Sequence, residues 1–397
     1  MVESRELKLC FVMFRAYTMF NREISETMGG SEVELYNLAT WFAGYENVKV
    51  DFIVGDYGQP AIETYGNIRL KKVKYMRLDR YTSLGHKFLR YFYLFKILLT
   101  QNSQVFFTKT ASELIGWIVI FQKYLRGKKV VFRLGSDKDA DLEFWRASRK
   151  LYHLYKFGLK HSDLVYAQTK DQQKLLKENC SIDSRVLKNV FYLRRQDIGV
   201  KKEFILWVSR CEPLKRPLLF VELAKRLPDE NFVIVMPHAR KADELSNARI
   251  NRIIEEVKKA SEILGNLEYL EFIPYDRIQD YYNRARLFVN TSEYEGFPNS
   301  FIQSCIGRTG ILSFRVDPDG FLEDYGLGFY CSDSLDQATD FIHSLNDRKV
   351  ESLGENALSY VINNHDIKNI GRIYAEDFLK LTGNKLYKKG ACKSEEV

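Results

Sequence analysis

Two doubly wound α/β domains are what this sequence predicts, and three observations lead to them. Strand-like apolar runs alternate with helical patterns along both halves. The alternation stops once in a polar, charged stretch and then restarts, and 397 residues exceed one ordinary core. Parallel strands need crossovers that cover both faces of their sheet, so such strands read as continuous apolar runs.

The first half opens on KLCFVMF (8–14), then a polar loop to Gly29-Gly30. A helix follows in SEVELYNLATWF, where Leu35, Leu38, Ala39 and Phe42 recur at helical spacing. Ser31 and Glu34 stand at capping-box spacing, which predicts a helix start at the glycines. VKVDFIV (48–54) reads as the next strand, followed later by SQVFFTK (103–109), a helix through ELIGWIVIFQKYL, and KKVVFRL (128–134). After LRRQDIGVKKE the pattern restarts at FILWVSR (204–210), with a helix at 217–227, NFVIVMP (231–237) and a helix at 248–264. LEYLEFIP (267–274), a helix at 276–285, RLFVNTS (286–292), a helix near 299–307 and GILSFRV (310–316) complete it. The expected division is a first domain over 1–194, a linker over 195–203, a second domain over 204–365, a helix over 366–382 and a flexible tail over 383–397.

Hydrophobic content of 45% and charged content of 28% describe a folded chain rather than a disordered one. A net charge of +8 gives mild attraction to anions without singling out nucleic acid. The six cysteines are solitary, with no CxxC pair, which argues against a zinc site or a disulfide framework and suits a reducing cytoplasm. Residues 1–8 lack the pattern of a signal peptide, and no window approaches the ~20 apolar residues of a spanning helix. HKFLRYFYLFKILL (86–99) is apolar almost all round with cations interspersed. It suits an anionic membrane surface, although a helix enclosed by its neighbours is the preferred reading.

Ligands of such sheets bind beyond the carboxyl ends of the strands, where loops meet helix N-termini. Gly29-Gly30 lets backbone approach a bulky anion there, although a plain loop pair of glycines would look the same. The absence of GxGxxG and GxxxxGK[ST] leaves ordinary dinucleotide and P-loop readings unsupported. Arg210 and Lys215 flank CEPL directly after a strand and can clamp a diphosphate, Arg as a planar fork and Lys as a point charge. Taken alone they would pass for two solvated surface cations.

Glu295 follows RLFVNTS, where it can accept hydrogen bonds from sugar hydroxyls. Pro298 fits the first position of the next helix, Asn299 and Ser300 its first turn, and Gln303 lies about one turn further along the same crevice. A helix dipole would explain Glu295 but not the whole arrangement. Asp137, Asp139 and Asp141 alternate in SDKDADLE (136–143) and suit either a divalent cation or helix capping, with capping preferred. DPDG (317–320) reads as a turn.

Together these residues resemble the GT-B glycosyltransferases, specifically the retaining family-4 group (glycosyl transferases group 1). SEYEGFP with the following Gln is similar to that family's E-x7-E motif, Glu295 standing as the first acid and Gln303 in place of the second. ILWVSRCEPLKRP resembles its strand with the Arg and Lys that hold the donor diphosphate. MGGSE resembles its glycine loop, and NHDIKNIGRIYAEDFLKL its terminal helix. The resemblance implies two Rossmann-like domains facing a central cleft, with the terminal helix crossing back to the first.

It further implies transfer of a sugar, with retention, from a UDP or GDP sugar to a glycan, lipid-linked or small-molecule acceptor, without metal or other cofactor. By that likeness Arg210, Lys215, Gly29, Gly30, Pro298, Asn299 and Ser300 hold the diphosphate. Glu295, Gly296 and Phe297 meet the donor sugar, and Gln303 meets the ribose. Asp137 stands at the catalytic centre where the family often has a His. The expected place is the cytoplasm, with peripheral membrane contact through 86–99 left open. Two rivals are a GT-B-fold nucleotide-sugar epimerase and a non-catalytic nucleotide-sugar-binding protein.

Overall fold

The apolar runs become the inner strands of two sheets. The computed structural model describes residues 6–21, 23–24, 29–77, 83–141, 149–193, 199–239, 244–384 and 386. The chain divides into two units, Met1–Tyr192 with Ile367–Val397, and Leu193–Asp366. Residues 195–198 of the expected linker, and 385 and 387–397 of the expected tail, lie outside the described residues.

The first unit carries β1 (Leu7–Val12), β2 (Val48–Val54), β3 (Ile62–Tyr65), β4 (Ile68–Lys72), β5 (Val105–Lys109), β6 (Lys129–Arg133), β7 (Leu164–Ala167) and β8 (Arg185–Val186). They lie in the order β3-β4-β2-β1-β5-β6-β7-β8, and only the β3–β4 hairpin is antiparallel. Phe11 at the middle of β1 sits 5.8 Å from Phe52 on β2 and 5.7 Å from Phe107 on β5. Three phenyl rings on adjacent parallel strands therefore make the centre of one face.

The Ile367–Thr382 helix belongs to this unit. Phe378 stacks on Phe42 at 5.3 Å, and Gly371 lies so close under Trp41 that an added Cβ would meet the indole at 2.8 Å. Asp377 accepts from Tyr166 Oη at 2.8 Å and from Arg185 at 2.6 Å, tying the helix to β7 and β8.

The second unit carries β9 (Phe204–Val208), β10 (Phe232–Val235), β11 (Leu267–Leu270), β12 (Ala285–Asn290), β13 (Gly310–Ser313) and β14 (Gly328–Tyr330). All pairings are parallel in the order β11-β10-β9-β12-β13-β14. The chain winds outward from β9 through β10 to β11, then returns to β12 on the other side of β9. The switch point thus falls between β9 and β12, and in the first unit between β1 and β5 by the same logic.

Several readings need correction. The ELIGWIVIFQKYL segment is α-helical only over Leu114–Ile118 and π-helical over Val119–Tyr124. The 86–99 segment forms a helix, Leu84–Thr100, that packs on the core through Leu94 and Leu98, with Tyr91, Tyr93, Phe95 and Ile97 partly buried beside them, while Leu84, Phe88, Phe92 and Leu99 stay exposed. No described helix is long and apolar enough to cross a membrane. Cys10, Cys180, Cys211, Cys305 and Cys331 are free and buried.

Candidate active site

Beyond β9 the chain passes Arg210, turns through the Pro213–Lys215 3-10 helix, and enters the Pro217–Arg226 helix. Arg216 joins the two in a left-handed conformation at φ 50°, which lets Pro217 take the first helical position. Beyond β12, Thr291 and Ser292 lead to Glu295 and then to the Asn299–Ile306 helix. Because β9 and β12 are neighbours, these two loops lie side by side and are stitched together. Glu293 N–H donates to Leu214 O at 2.9 Å, and Thr291 Oγ1 donates to Lys215 O at 2.5 Å. Thr291 in turn accepts from the buried Trp207 indole of β9 at 2.9 Å.

That stitching brings Lys215 Nζ onto the Glu295 carboxylate as an ion pair, with Ser292 Oγ donating to the same carboxylate oxygen at 2.8 Å. The side chains stay 15% and 20% exposed, so both heads remain within reach of a ligand. Arg210 is 3.4 Å from Glu212 and also partly exposed. Phe297 turns its ring inward against Phe321 at 5.1 Å and His365 at 5.0 Å, and Gly296 and Pro298 are buried beside it. The ring of Phe297 therefore anchors the loop, and only backbone at 296–298 can face a ligand.

Pro298 occupies the capping position rather than the first helical one, a shift of one residue, because its ψ of 131° is still extended. Asn299 then opens the helix and Ser300 follows in its first turn. Gln303 lies one turn on and half-buried. Its backbone carbonyl accepts from Gln279 at 3.1 Å, and its side-chain amide makes no hydrogen bond among the described residues.

In the first unit the Gly30–Ala43 helix starts at Gly29, but the Ser31/Glu34 capping box does not form. Glu32 folds back instead, and its carboxylate lies so close to Gly29 that a Cβ there would collide with it. The place expected for a diphosphate at Gly29-Gly30 is thus held by the helix's own acid, which the positive end of the dipole favours. Glu34 is drawn elsewhere. It pairs with Lys109 at the end of β5 and, at 2.7 Å, with Arg133 at the end of β6, all three side chains 2% exposed or less. Arg133 also donates to Leu187 O at 2.9 Å and to Asn189 Oδ1 at 2.7 Å. Burial pulls the Lys109 ammonium below its ordinary pKa, and the Glu34 carboxylate opposes that pull.

Asp137 starts the short Asp137–Ala140 helix after β6, and its Oδ1 accepts from Gln172 at 2.9 Å. Asp139 caps that turn, accepting from Gly135 N–H at 2.6 Å and Ser136 Oγ at 3.1 Å, and burial raises its pKa despite those bonds. Capping is therefore what Asp139 does, and among the described residues no three His, Cys, Asp or Glu side chains cluster as metal ligands.

Thr110 is a residue the sequence did not single out. It sits directly after β5 at φ 73°, a region that β-branched residues avoid, and donates to Ser31 Oγ at 3.1 Å. Only Thr110's place just past a strand could have drawn attention to it; nothing in its neighbours signals a left-handed backbone.

Residues 191–317 match the family described as Glycosyl transferases group 1. The matched segment spans both stitched loops. Among solved structures, the chain resembles sucrose-phosphate synthase from Thermosynechococcus elongatus at 14% identity and TM-score 0.77, covering 95% of this chain and 100% of that one. It also resembles an E. coli structure described as trehalose-6-phosphate bound with UDP-2-fluoro glucose, at 14% identity and TM-score 0.68, covering 94% and 98%. An S. aureus TarM mutant in complex with fondaparinux, alpha-GlcNAc-glycerol and UDP aligns at 18% identity and TM-score 0.56, over 69% of this chain and 55% of that one. No curated protein sequence matches the chain. Two parallel-sheet domains aligned over nearly the whole length make the fold GT-B.

Proposed function

We propose that the protein is a retaining glycosyltransferase that moves a sugar from a UDP or GDP sugar to a glycan, lipid-linked or small-molecule acceptor, without a metal ion. The observation that carries this reading is the meeting of Lys215 and Glu295 at the β9/β12 switch point, on loops tied by the Glu293–Leu214 bond. Breaking the anomeric bond leaves negative charge on the diphosphate and positive character on the ring. Arg210, Lys215 and the first turn at Asn299 and Ser300 stabilise that leaving group in place of a divalent ion.

Lys215 neutralises Glu295. An arriving diphosphate competes for the ammonium, and the freed carboxylate, still held by Ser292, turns to the hydroxyls of the donor sugar. Gln303 keeps one acceptor and two donors for the ribose, with less charge assistance than an acid would give. Asp137, tied to Gln172, is assigned to the acceptor side. Gly29 and Gly30 serve the diphosphate only where Glu32 moves away.

The test is a transfer assay on the full chain with UDP and GDP sugars over a panel of acceptors, with and without a chelator, and with the product anomer read by NMR. Retained configuration, chelator resistance, and loss of transfer in both Lys215→Ala and Glu295→Gln are expected. Donor turnover surviving in both variants overturns the site. Donor conversion without any acceptor being glycosylated points to an epimerase instead.

A further inference from the structure

We propose that the Leu84–Thr100 helix docks the protein on an anionic lipid surface. Leu84, Phe88, Phe92 and Leu99 are 83%, 75%, 53% and 48% exposed, at steps of four, four and seven residues. Those steps bring all four onto one side of the helix. Tyr124 and Leu125, exposed by 55% and 64%, extend the apolar surface at the helix's last turn, where Arg126 donates to Leu98 O at 3.3 Å. The adjacent side packs inward through Leu94 and Leu98, and toward the C-terminal half Phe95 lies 4.8 Å from Phe121. Four large apolar side chains exposed along one side of a helix mark an interaction site.

Charge names the occupant. Among the cations of residues 71–133, Lys71, Lys72, Lys109, Lys123, Lys129 and Arg133 are paired with carboxylates, so the cations of the helix itself set the charge of this face. The helix itself contributes Lys87, Arg90 and Lys96 and no acid. Glu113, the one acid between 80 and 133, is taken by the Tyr91 hydroxyl. Apolar side chains flanked by cations fit a headgroup layer with acyl chains beneath it.

A second copy is disfavoured, because a two-fold contact through this stripe would bring the cations beside it, Lys87 and Lys96, against those of the partner. A nucleic-acid duplex would use the cations but not the apolar stripe, and a single strand could stack on Phe88 and Phe92 but would leave Leu84 and Leu99 without a partner. The helix lies on the surface rather than crossing it, since no described helix can span a bilayer. The inference does not depend on glycosyl transfer, because its test reads partitioning rather than turnover.

Sedimentation of the full chain with vesicles of phosphatidylcholine alone, or with one-third phosphatidylglycerol, tests it. The expected result is binding to the anionic vesicles only, lowered roughly tenfold or more by Phe88→Ser with Phe92→Ser, whose side chains are exposed and leave the core intact. A Lys87→Gln, Lys96→Gln variant, which leaves the stripe in place, is expected to lose roughly tenfold as well. No binding to anionic vesicles, or binding unchanged in both variants, overturns the proposal. So does a dimer, measured by light scattering, that dissociates in the Phe variant, or RNA binding tighter than vesicle binding and insensitive to it.

Discussion

Both units gather charged side chains near the strand ends at their switch points, yet they use them oppositely. In the first, Glu34, Lys109 and Arg133 are closed off from water and satisfied by one another and by Leu187 and Asn189. In the second, Lys215 and Glu295 form a single pair that keeps its heads accessible. A buried network answers to the fold, because losing one member strands the others without solvent. A partly exposed pair is worth little to stability and is free to exchange its partner. Position in the fold thus does not by itself reveal function; solvent access separates the scaffold from the site.

The comparison breaks most readily at Glu34. Glu34→Ala strands Lys109 and Arg133, and a loss of about 3–5 kcal/mol in urea unfolding is expected. A loss below about 1 kcal/mol would show that the network is not structural. The mirror experiment is Lys215→Ala, for which turnover should fall about 10²–10³-fold while unfolding changes by less than about 1 kcal/mol.

Lys202 sharpens the contrast, since its partners are Gly307 O at 2.8 Å and Thr309 Oγ1 at 2.9 Å rather than a carboxylate. Burial, helped by Arg308, lowers its pKa from 10.5 to about 7. The unfolded chain then holds a proton that the folded one has released, so stability is lowest below about pH 7 and rises toward pH 10.5. A slope of about 1 kcal/mol per pH unit across that window is expected, and Lys202→Met should flatten it. A slope that survives the substitution assigns it to another group. The smallest effect is at Thr110, where Thr110→Gly removes a strained left-handed backbone. A gain of up to about 1 kcal/mol is expected in thermal unfolding, and a loss would mean that the hydroxyl bond to Ser31 outweighs the strain.

Much of the fold was legible because parallel strands buried on both faces leave unbroken apolar runs such as LCFV and FILWV. The β3–β4 hairpin was not, because IETY is largely exposed and has no apolar run to show. Glu34 misled for a different reason. Its spacing from Ser31 satisfies a local rule, but two cations more than 70 residues away in sequence outcompete it. The loops after β9 and β12 could be found from strand ends, whereas the Lys215–Glu295 contact depends on which strands are neighbours, a property of topology alone.

Trp207 donates its indole proton to Thr291, and Thr291 donates to the carbonyl of Lys215. That chain of bonds ends on the backbone of the residue whose ammonium meets Glu295, which places a tryptophan beside the site as an optical reporter. Titrating a nucleoside diphosphate while watching tryptophan emission should show a saturable change that Trp207→Phe abolishes, giving occupancy of the proposed donor site without any label.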